Sequence, residues 1–151
     1  KKINCNTYKL ARADVNRELQ KDKKLSRKDS NFQEFLESNF EPIALNKINK
    51  SITSSISKDR LVEYWRKNKA LCPYFNKFVE GQLFTAWHFM AVEQEPKIDL
   101  NAYEDIEHLV YLIGLDGIVS DEKGFMKTAC KALYLDKDFL SVEQFVSRLK
   151  I

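Results

Sequence analysis

The spacing of apolar residues along the chain predicts amphipathic helices separated by short strands or loops. A helix over Asn31–Asn39 is predicted by apolar side chains at positions i, i+3 and i+4, namely Phe32, Phe35 and Leu36. Pro42 is expected to stop that helix, after which the PIAL segment fits a short strand. Two interpretations stay open for stretch 46–57, a helix with regularly spaced isoleucines or a low-complexity loop.

The middle of the chain predicts two further helices. The segment Ser57-Lys-Asp59 is placed to cap a helix that contains Leu61, Val62, Tyr64 and Trp65. Cys72-Pro73 then restarts a helical pattern, which passes through the most aromatic part of the chain and ends near Glu95-Pro96. The helical spacing of these aromatic residues, with few basic residues among them, favours core packing over base stacking.

The stretch Asn101–Phe125 carries the clearest order of elements. Asn101 and Glu104 form a capping-box pattern at the start of an amphipathic helix that Gly114 is expected to end. Gly117–Val119 is predicted to be a short buried strand. The next helix is predicted over Lys123 to Tyr134, with inward side chains Phe125, Ala129, Ala132 and Leu133.

The two ends of the chain complete the predicted order. Residues 136–139 are expected to link to a last helix over Ser141–Leu149, in which apolar residues repeat at helical spacing, namely Val142, Phe145, Val146 and Leu149. At the start, Ile3–Leu10 fits a short strand, and Asp14–Lys23 fits a helix capped by Asp14. The sum is an α/β or helix-dominated domain in which short strands alternate with longer helices.

Length and composition fit one globular domain. The chain has 151 residues, 44% of them hydrophobic, and its net charge of +3 permits nucleic-acid binding without arguing for it. Cys5, Cys72 and Cys130 lie far apart without a CxxC pair, so we expect buried or partly buried thiols in a reducing compartment rather than a zinc site or a disulfide framework. The sequence shows no signal peptide and no long apolar run, which predicts a cytoplasmic protein without a membrane partner.

The acidic residues of the central stretch are the candidate chemical groups. Asp121 and Glu122 directly follow the predicted strand, where ligand sites of α/β sheets gather, and carboxylate oxygens suit hard divalent cations. An equally good interpretation is that Asp121 caps the next helix. Asp105 lies on the rim of its helix's apolar face, where it could instead simply favour the positive helix N-terminus, by up to about 1 kcal/mol.

Other kinds of site find less support in the sequence. His88 and His108 are isolated, and His88 lies among aromatic residues, as a packed core histidine would. Cys72 lacks a nearby basic activator, which argues against thiol catalysis. Gly-rich phosphate loops and GxSxG elbows are absent, which disfavours nucleotide kinases and serine hydrolases.

The segment DIEHLVYLIGLDGIVSDEKGF resembles the C-terminal half of PIN-like domains, a fold of metal-dependent ribonucleases that includes many bacterial toxins. Asp105 matches the acid that opens the family's helix. Asp121 and Glu122 match the acids at the end of the following strand, although Glu122 stands where the family usually has Asp. Phe125 is in register with the family's Phe, and the tail FLSVEQFVSRL is similar to the family's closing segment.

The resemblance covers about the last fifty residues and is weak before them. It implies a three-layer fold with a short parallel sheet flanked by many helices. Glu18 is the best match for a further family ligand, with Glu63 and Glu80 as alternatives. No Asp before Glu18 matches the family's first-strand motif. Because the chain begins without Met, we expect one PIN-like domain over residues 1–151 that lacks its N-terminal strand.

The resemblance implies a metal-dependent endoribonuclease, with Asp105, Asp121, Glu122 and Glu18 as ligands of Mg²⁺ or Mn²⁺. RNA would be the substrate, an antitoxin or a second copy of the chain could be a partner, and phosphate contacts would come from Lys67, Lys69 and Lys123. Glu122 and the missing first acid favour a different hypothesis, a catalytically degenerate PIN-like module that binds protein or RNA. A third hypothesis is an unrelated helical domain that binds a partner through its aromatic helix.

Overall fold

The structure is a computed structural model that describes residues 31–51, 56–89, 101–122 and 124–149. The described part is mostly helical and contains one two-stranded parallel sheet. Its elements, in chain order, are α1 (Phe32–Ser51), α2 (Lys58–Lys67), a 3₁₀ helix (Lys69–Leu71), α3 (Pro73–Trp87), α4 (Asn101–Val110), a 3₁₀ helix (Tyr111–Gly114), β1 (Gly117–Val119), α5 (Phe125–Leu133), β2 (Asp138–Leu140) and α6 (Val142–Leu149). The predicted N-terminal strand and helix lie outside the described residues.

Helix α3 is the central element, because it packs against α1 on one side and against α4 and α5 on the other. One hydrophobic cluster joins α3 to α1 and α2 and contains Phe35, Ile43, Ala44, Ile48, Trp65, Val79, Leu83 and Ala86. A second cluster joins α3 to the C-terminal elements and contains Phe84, Ile106, Leu109, Leu112, Ala129, Cys130, Leu133 and Tyr134. The prediction that the aromatic stretch forms core is therefore confirmed, with Phe84 fully buried.

Two polar side chains tie the second cluster together. Tyr134 donates its phenolic hydrogen to the carbonyl oxygen of Leu109 over 2.7 Å, and burial raises the pKa of this phenol above its usual range. Lys77 donates to the carbonyl oxygen of Leu133 over 2.7 Å while its ammonium lies over the Tyr134 ring. The C-terminal end of α5 is thus fixed to both α3 and α4.

The predicted stop at Pro42 is wrong, because Pro42 lies inside α1, a helix of 20 residues that continues to Ser51. A proline inside a helix removes one backbone hydrogen bond and crowds the preceding turn, which normally costs about 3 kcal/mol. Here the residues just after Pro42 are core residues: Ile43, Ala44 and Ile48 are all buried. Packing against α3 therefore outweighs the local penalty, and the PIAL segment is helical rather than extended.

The helix interpretation of stretch 46–57 is confirmed up to residue 51, and residues 52–55 lie outside the described residues. Ile48 is buried in α1, whereas Ile56 lies in an exposed bend before α2. Ser57 caps α2 as predicted, since its hydroxyl oxygen accepts a hydrogen bond from the Arg60 amide over 3.4 Å.

A glycine allows α3 and α4 to approach closely. A Cβ atom added to Gly81 would lie only 2.3 Å from Cγ2 of Ile106, which is itself 1% exposed. No side chain fits between the two helices at this point. The contact therefore sets the distance of α4, and of the strand that follows it, from the central helix.

The two strands and α5 form a βαβ unit. β1 and β2 pair in parallel, with Gly117 opposite Asp138 and Val119 opposite Leu140, and α5 makes the crossover. Gly117 is needed for this pairing, because an added Cβ would lie 2.5 Å from the Asp138 carbonyl oxygen. The α/β prediction is confirmed at this level, although the PIN-like arrangement remains a prediction.

Several local predictions in this unit need correction. The predicted strand Gly117–Val119 is confirmed, but it is only partly buried. The predicted link, residues 136–139, overlaps strand β2, which spans Asp138–Leu140. Three residues are too few to show the alternation of apolar and polar side chains that predicts a strand. On α5, Ala132 is exposed and Cys130 is buried instead.

Helix α6 begins at Val142, one residue after the predicted start at Ser141, and none of its residues is buried. Ser141 and Gln144 form a capping box: the Ser141 hydroxyl accepts from the Gln144 amide over 3.1 Å, and Gln144 Oε1 accepts from the Ser141 amide over 2.9 Å. The apolar stripe of α6 remains between 39% and 60% exposed along its length, at Val142, Phe145, Val146 and Leu149.

We predict that Gly81→Ala lowers the free energy of unfolding, measured by urea denaturation. Overpacking a buried contact costs up to about 3 kcal/mol, which exceeds the roughly 1 kcal/mol that alanine gains over glycine in a helix. Gly114→Ala is the matched control, since its nearest new neighbour would be the Tyr74 hydroxyl at 3.7 Å. Equal stability of the two variants would contradict the proposed close contact.

Candidate functional site

Two of the acids predicted to form a site, Asp121 and Glu122, lie at the carboxyl end of β1. Ser120 directly follows β1, and its amide extends the parallel pairing by donating to the Leu140 carbonyl oxygen over 2.9 Å. Its hydroxyl oxygen accepts a hydrogen bond from the Glu122 amide over 3.1 Å, which turns the chain sharply. Asp121 and Glu122 are consequently presented on the surface of the turn, and both are exposed.

Glu122 uses both carboxylate oxygens to hold the start of α5. Its Oε1 accepts from the Gly124 amide over 2.7 Å, and its Oε2 accepts from the Lys127 amide over 3.3 Å. A carboxylate in this place accepts hydrogen bonds from amides that have no partner inside the helix. Its negative charge also interacts favourably with the partial positive charge at the helix N-terminus. Glu122 is therefore a structural cap in this structure.

Asp121 caps a different helix from the one predicted. Its Oδ1 accepts a hydrogen bond over 3.1 Å from the amide of Val142, the first residue of α6. The prediction that Asp121 caps α5 is wrong, because Glu122 takes that place. Sequence distance hid the true partner, since the hydrogen bond spans 21 positions and exists only after β1 and β2 pair.

Asp105 lies on α4, at the edge of the side that packs against α3 and α5. It is half-buried, whereas its neighbours Tyr103 and Ile106 are buried, as the predicted rim position requires. Asp105 also makes interactions of its own in the folded chain. Asp105 is therefore a partly enclosed acid with a partner in the folded chain.

The fit of these residues to a divalent metal ion is partial. Carboxylate oxygens have the hard donor chemistry that Mg²⁺ and Mn²⁺ prefer. However, within the residues that the structure describes, no three His, Cys, Asp or Glu side chains come together to hold one ion. The described residues alone thus do not complete a metal site, and Glu18 lies outside them.

The two alternative acids for the further ligand are engaged in ion pairs elsewhere. Glu63 accepts from Lys67 over 2.7 Å on the surface of α2, and this hydrogen bond lowers the pKa of Glu63. Glu80 pairs with Lys77 over 2.5 Å on α3. These contacts give both acids structural partners.

Of the three lysines expected to meet phosphate, Lys123 lies outside the described residues and two already have acidic partners. Lys67 pairs with Glu63, and Lys69 pairs with Glu41 over 3.3 Å. Hydrogen bonds from Lys69 and Arg66 lower the pKa of Glu41. Lys67 and Lys69 therefore each have an acidic partner in the structure, and Lys69 shares Glu41 with Arg66.

Histidine and cysteine occupy the places that the sequence predicted. His88 is buried and stacks on Phe84 with ring centroids 5.6 Å apart, while Phe125 meets it edge-on. Cys72 is half-buried and Cys130 is buried, and burial raises the pKa of the Cys130 thiol. Both thiols are free, and Cys5 lies outside the described residues.

Two residues whose roles the sequence did not predict, Ser120 and Val142, also define the candidate site. Ser120 shapes the acidic turn, and the Val142 amide binds one of its acids. A serine directly after the predicted strand gave a usable signal for the turn. No comparable signal existed for Val142, whose role depends on a backbone group.

Comparison with protein-family models, with curated proteins and with solved structures gave no match for this chain. The PIN-like resemblance therefore remains a prediction from residues Asp105, Asp121, Glu122 and Phe125. Within the described ranges, no helix is both long and apolar enough to cross a membrane.

We predict that Glu122→Ala destabilises the protein by about 1 kcal/mol, the usual cost of losing a helix cap. Glu122→Gln should cost less, because its amide oxygen still accepts one of the two backbone hydrogen bonds. Urea denaturation in the presence of a chelator measures this effect without any contribution from metal. An unchanged midpoint for Glu122→Ala would contradict the capping role.

Proposed function

We propose that this chain is a PIN-like, metal-dependent endoribonuclease that hydrolyses phosphodiester bonds in RNA. The observation that carries the proposal is the exposed pair Asp121–Glu122 at the carboxyl end of β1, within a parallel βαβ unit. Ligands of α/β proteins bind at this end of the strands. The proposal also rests on the resemblance of the Asp105–Phe125 segment to PIN-like domains.

The packing around the acids is consistent with this proposal. Helix α4, which carries Asp105, packs directly against α5, whose start follows the acidic turn. Phe125, which the resemblance aligned with a family residue, contacts Phe84 with ring centroids 5.7 Å apart and so anchors the turn to α3. The turn is thus presented from a packed support rather than from a loose loop.

Each acid has a defined role in the proposed site. Of the two carboxylate oxygens of Asp121, only Oδ1 accepts a hydrogen bond from a described residue. Its other oxygen, Oδ2, can therefore bind a ligand. Asp105 and Glu18 would supply further carboxylates, and Glu122 would mainly hold the turn. A bound Mg²⁺ or Mn²⁺ would supply an activated water and positive charge for the phosphate.

A second candidate function is a catalytically degenerate PIN-like module that binds RNA or protein. The observation that favours it is the engagement of Glu122, whose two oxygens both accept backbone hydrogen bonds. The acids would then act as caps that stabilise the βαβ unit. Metal binding and RNA cleavage would both be absent from such a module.

We predict that Asp121→Asn abolishes Mn²⁺-dependent cleavage of RNA and leaves the fold intact. Asparagine loses the negative charge but keeps an oxygen that can accept from the Val142 amide. The matched control is Asp116→Asn, since Asp116 is also exposed but lies at the opposite, amino end of β1. Cleavage of a fluorescent single-stranded RNA, with and without chelator, measures the difference.

Full activity of Asp121→Asn would remove Asp121 from the site. Calorimetric titration of the full chain with Mn²⁺ separates the two candidate functions. A site of micromolar affinity that Asp121→Asn weakens supports the ribonuclease. Absence of binding together with absence of cleavage supports the degenerate module.

A further inference from the structure

We propose that the N-terminal segment, residues 1–30, binds the phosphate backbone of single-stranded RNA and brings it to the acidic turn, Asp121–Glu122. The segment precedes the described part of the chain, which begins at Asn31. Two observations carry the proposal, namely the charge of the segment and the place at which it joins the fold. The choice of RNA as the ligand rests on the proposed function.

The N-terminal segment concentrates the positive charge of the chain. Of the 25 basic and 22 acidic residues, ten and four lie in residues 1–30, so this segment carries a net charge of +6 while residues 31–151 carry −3. Five of these basic residues fall within the eight residues 21–28, KDKKLSRK. Such a basic run, and such asymmetry of charge along one chain, is typical of proteins that bind nucleic acid.

The part of the chain that carries the candidate site has the opposite charge. Residues 101–122 contain six acidic residues and no lysine or arginine. A bound metal ion would offset only part of this charge, so the turn by itself repels a phosphate backbone. Six basic side chains elsewhere in the described part already pair with carboxylates, namely Arg66, Lys67, Lys69, Lys77, Lys137 and Arg148. Attraction for RNA therefore has its best source in the N-terminal segment.

The segment joins the fold close to the acidic turn. Asn31 Oδ1 accepts a hydrogen bond from the Gln33 amide over 3.0 Å, which fixes the start of α1. The next side chain, Phe32, meets Phe84 edge-on with ring centroids 5.1 Å apart, and Phe84 in turn contacts Phe125 at 5.7 Å. Phe125 begins α5, directly after the turn. The start of α1 is thus only two ring contacts away from the first residue of α5.

The basic run cannot lie far from that junction. Residue 21 is ten positions before Asn31, and ten residues span at most about 35 Å even when fully extended. RNA held by residues 21–28 is therefore confined to the neighbourhood of the α1 start. This confinement raises the concentration of RNA at the acidic turn, as a flexible link does for any tethered ligand.

The composition of the run favours RNA over a membrane surface. Residues 21–28 contain one apolar side chain, Leu25, and no aromatic residue. A segment that lies in a membrane interface needs an apolar face as well as basic residues. Binding to a phosphate backbone needs only the positive charges, because it is driven by the release of counterions from the nucleic acid.

RNA binding by the full chain tests the proposal in the presence of a chelator, where metal-dependent cleavage is absent. A triple variant carries Lys21→Gln, Lys23→Gln and Lys24→Gln. Its affinity for a fluorescein-labelled single-stranded RNA, measured by fluorescence anisotropy at low salt, should fall about tenfold or more. The slope of log affinity against log salt concentration should become shallower by about two, since each phosphate contact to a single strand contributes roughly 0.7.

The matched control removes the same charge from the described part, through Arg60→Gln, Lys131→Gln and Arg148→Gln, which are exposed positions. Its RNA affinity should stay close to that of the wild type, because charges more than about 10 Å from the RNA are screened at 0.1 M salt. A second triple variant, with Lys→Arg at positions 21, 23 and 24, keeps the charge and should bind RNA as the wild type does.

Three results would overturn the proposal: unchanged RNA affinity of the first triple variant, an equal loss in the matched control, or binding to phosphatidylserine vesicles without binding to RNA. RNA binding that depends on residues 21–24, without Mn²⁺-dependent cleavage, supports the proposal and counts against the ribonuclease. Where cleavage occurs, the first triple variant should raise KM and leave kcat unchanged. A lower kcat at unchanged KM would contradict a role in binding.

Discussion

The contact between Gly81 and Ile106 is the constraint on which the described fold depends. Helix α3 is buried along most of its last turns and supplies side chains to both hydrophobic clusters. Since a Cβ at Gly81 would meet Ile106 at 2.3 Å, α4 can reach its place only across a glycine. The backbone that leaves α4 then enters β1, so this single contact also fixes where the strand and its acids lie relative to the core.

Elements with strong local signals were predictable from the sequence, and elements defined by distant packing were not. Ser57 and the amphipathic pattern after it predicted α2, and the apolar face of residues 102–113 predicted α4. Pro42 misled because its local penalty is smaller than the gain from burying Ile43 and Ala44. β2 was missed because three residues carry no period, and only pairing with β1 makes them a strand.

The candidate site was also only partly predictable from the sequence. The sequence placed Asp121 and Glu122 at the end of a strand because a glycine, two apolar residues and a serine precede them. It could not assign their hydrogen-bond partners, which are backbone amides of two different helices. Chemistry carried by side chains leaves a trace in residue type, whereas backbone donors leave none. A site built partly from amides is therefore only half visible in sequence.

The shared position of α3 has a consequence for how the protein unfolds. Trp65 lies in the first cluster and Cys130 in the second, and two partly buried side chains, Phe32 of α1 and Trp87 of α3, pack against both clusters. If either cluster is lost, one side of α3 loses its packing partners and the buried residues of α3 become exposed to water. This exposure weakens the remaining cluster. Fluorescence of Trp65 and Trp87 and thiol accessibility of Cys130 should consequently report one cooperative transition, even though no described side chain of the first cluster belongs to the C-terminal βαβ unit.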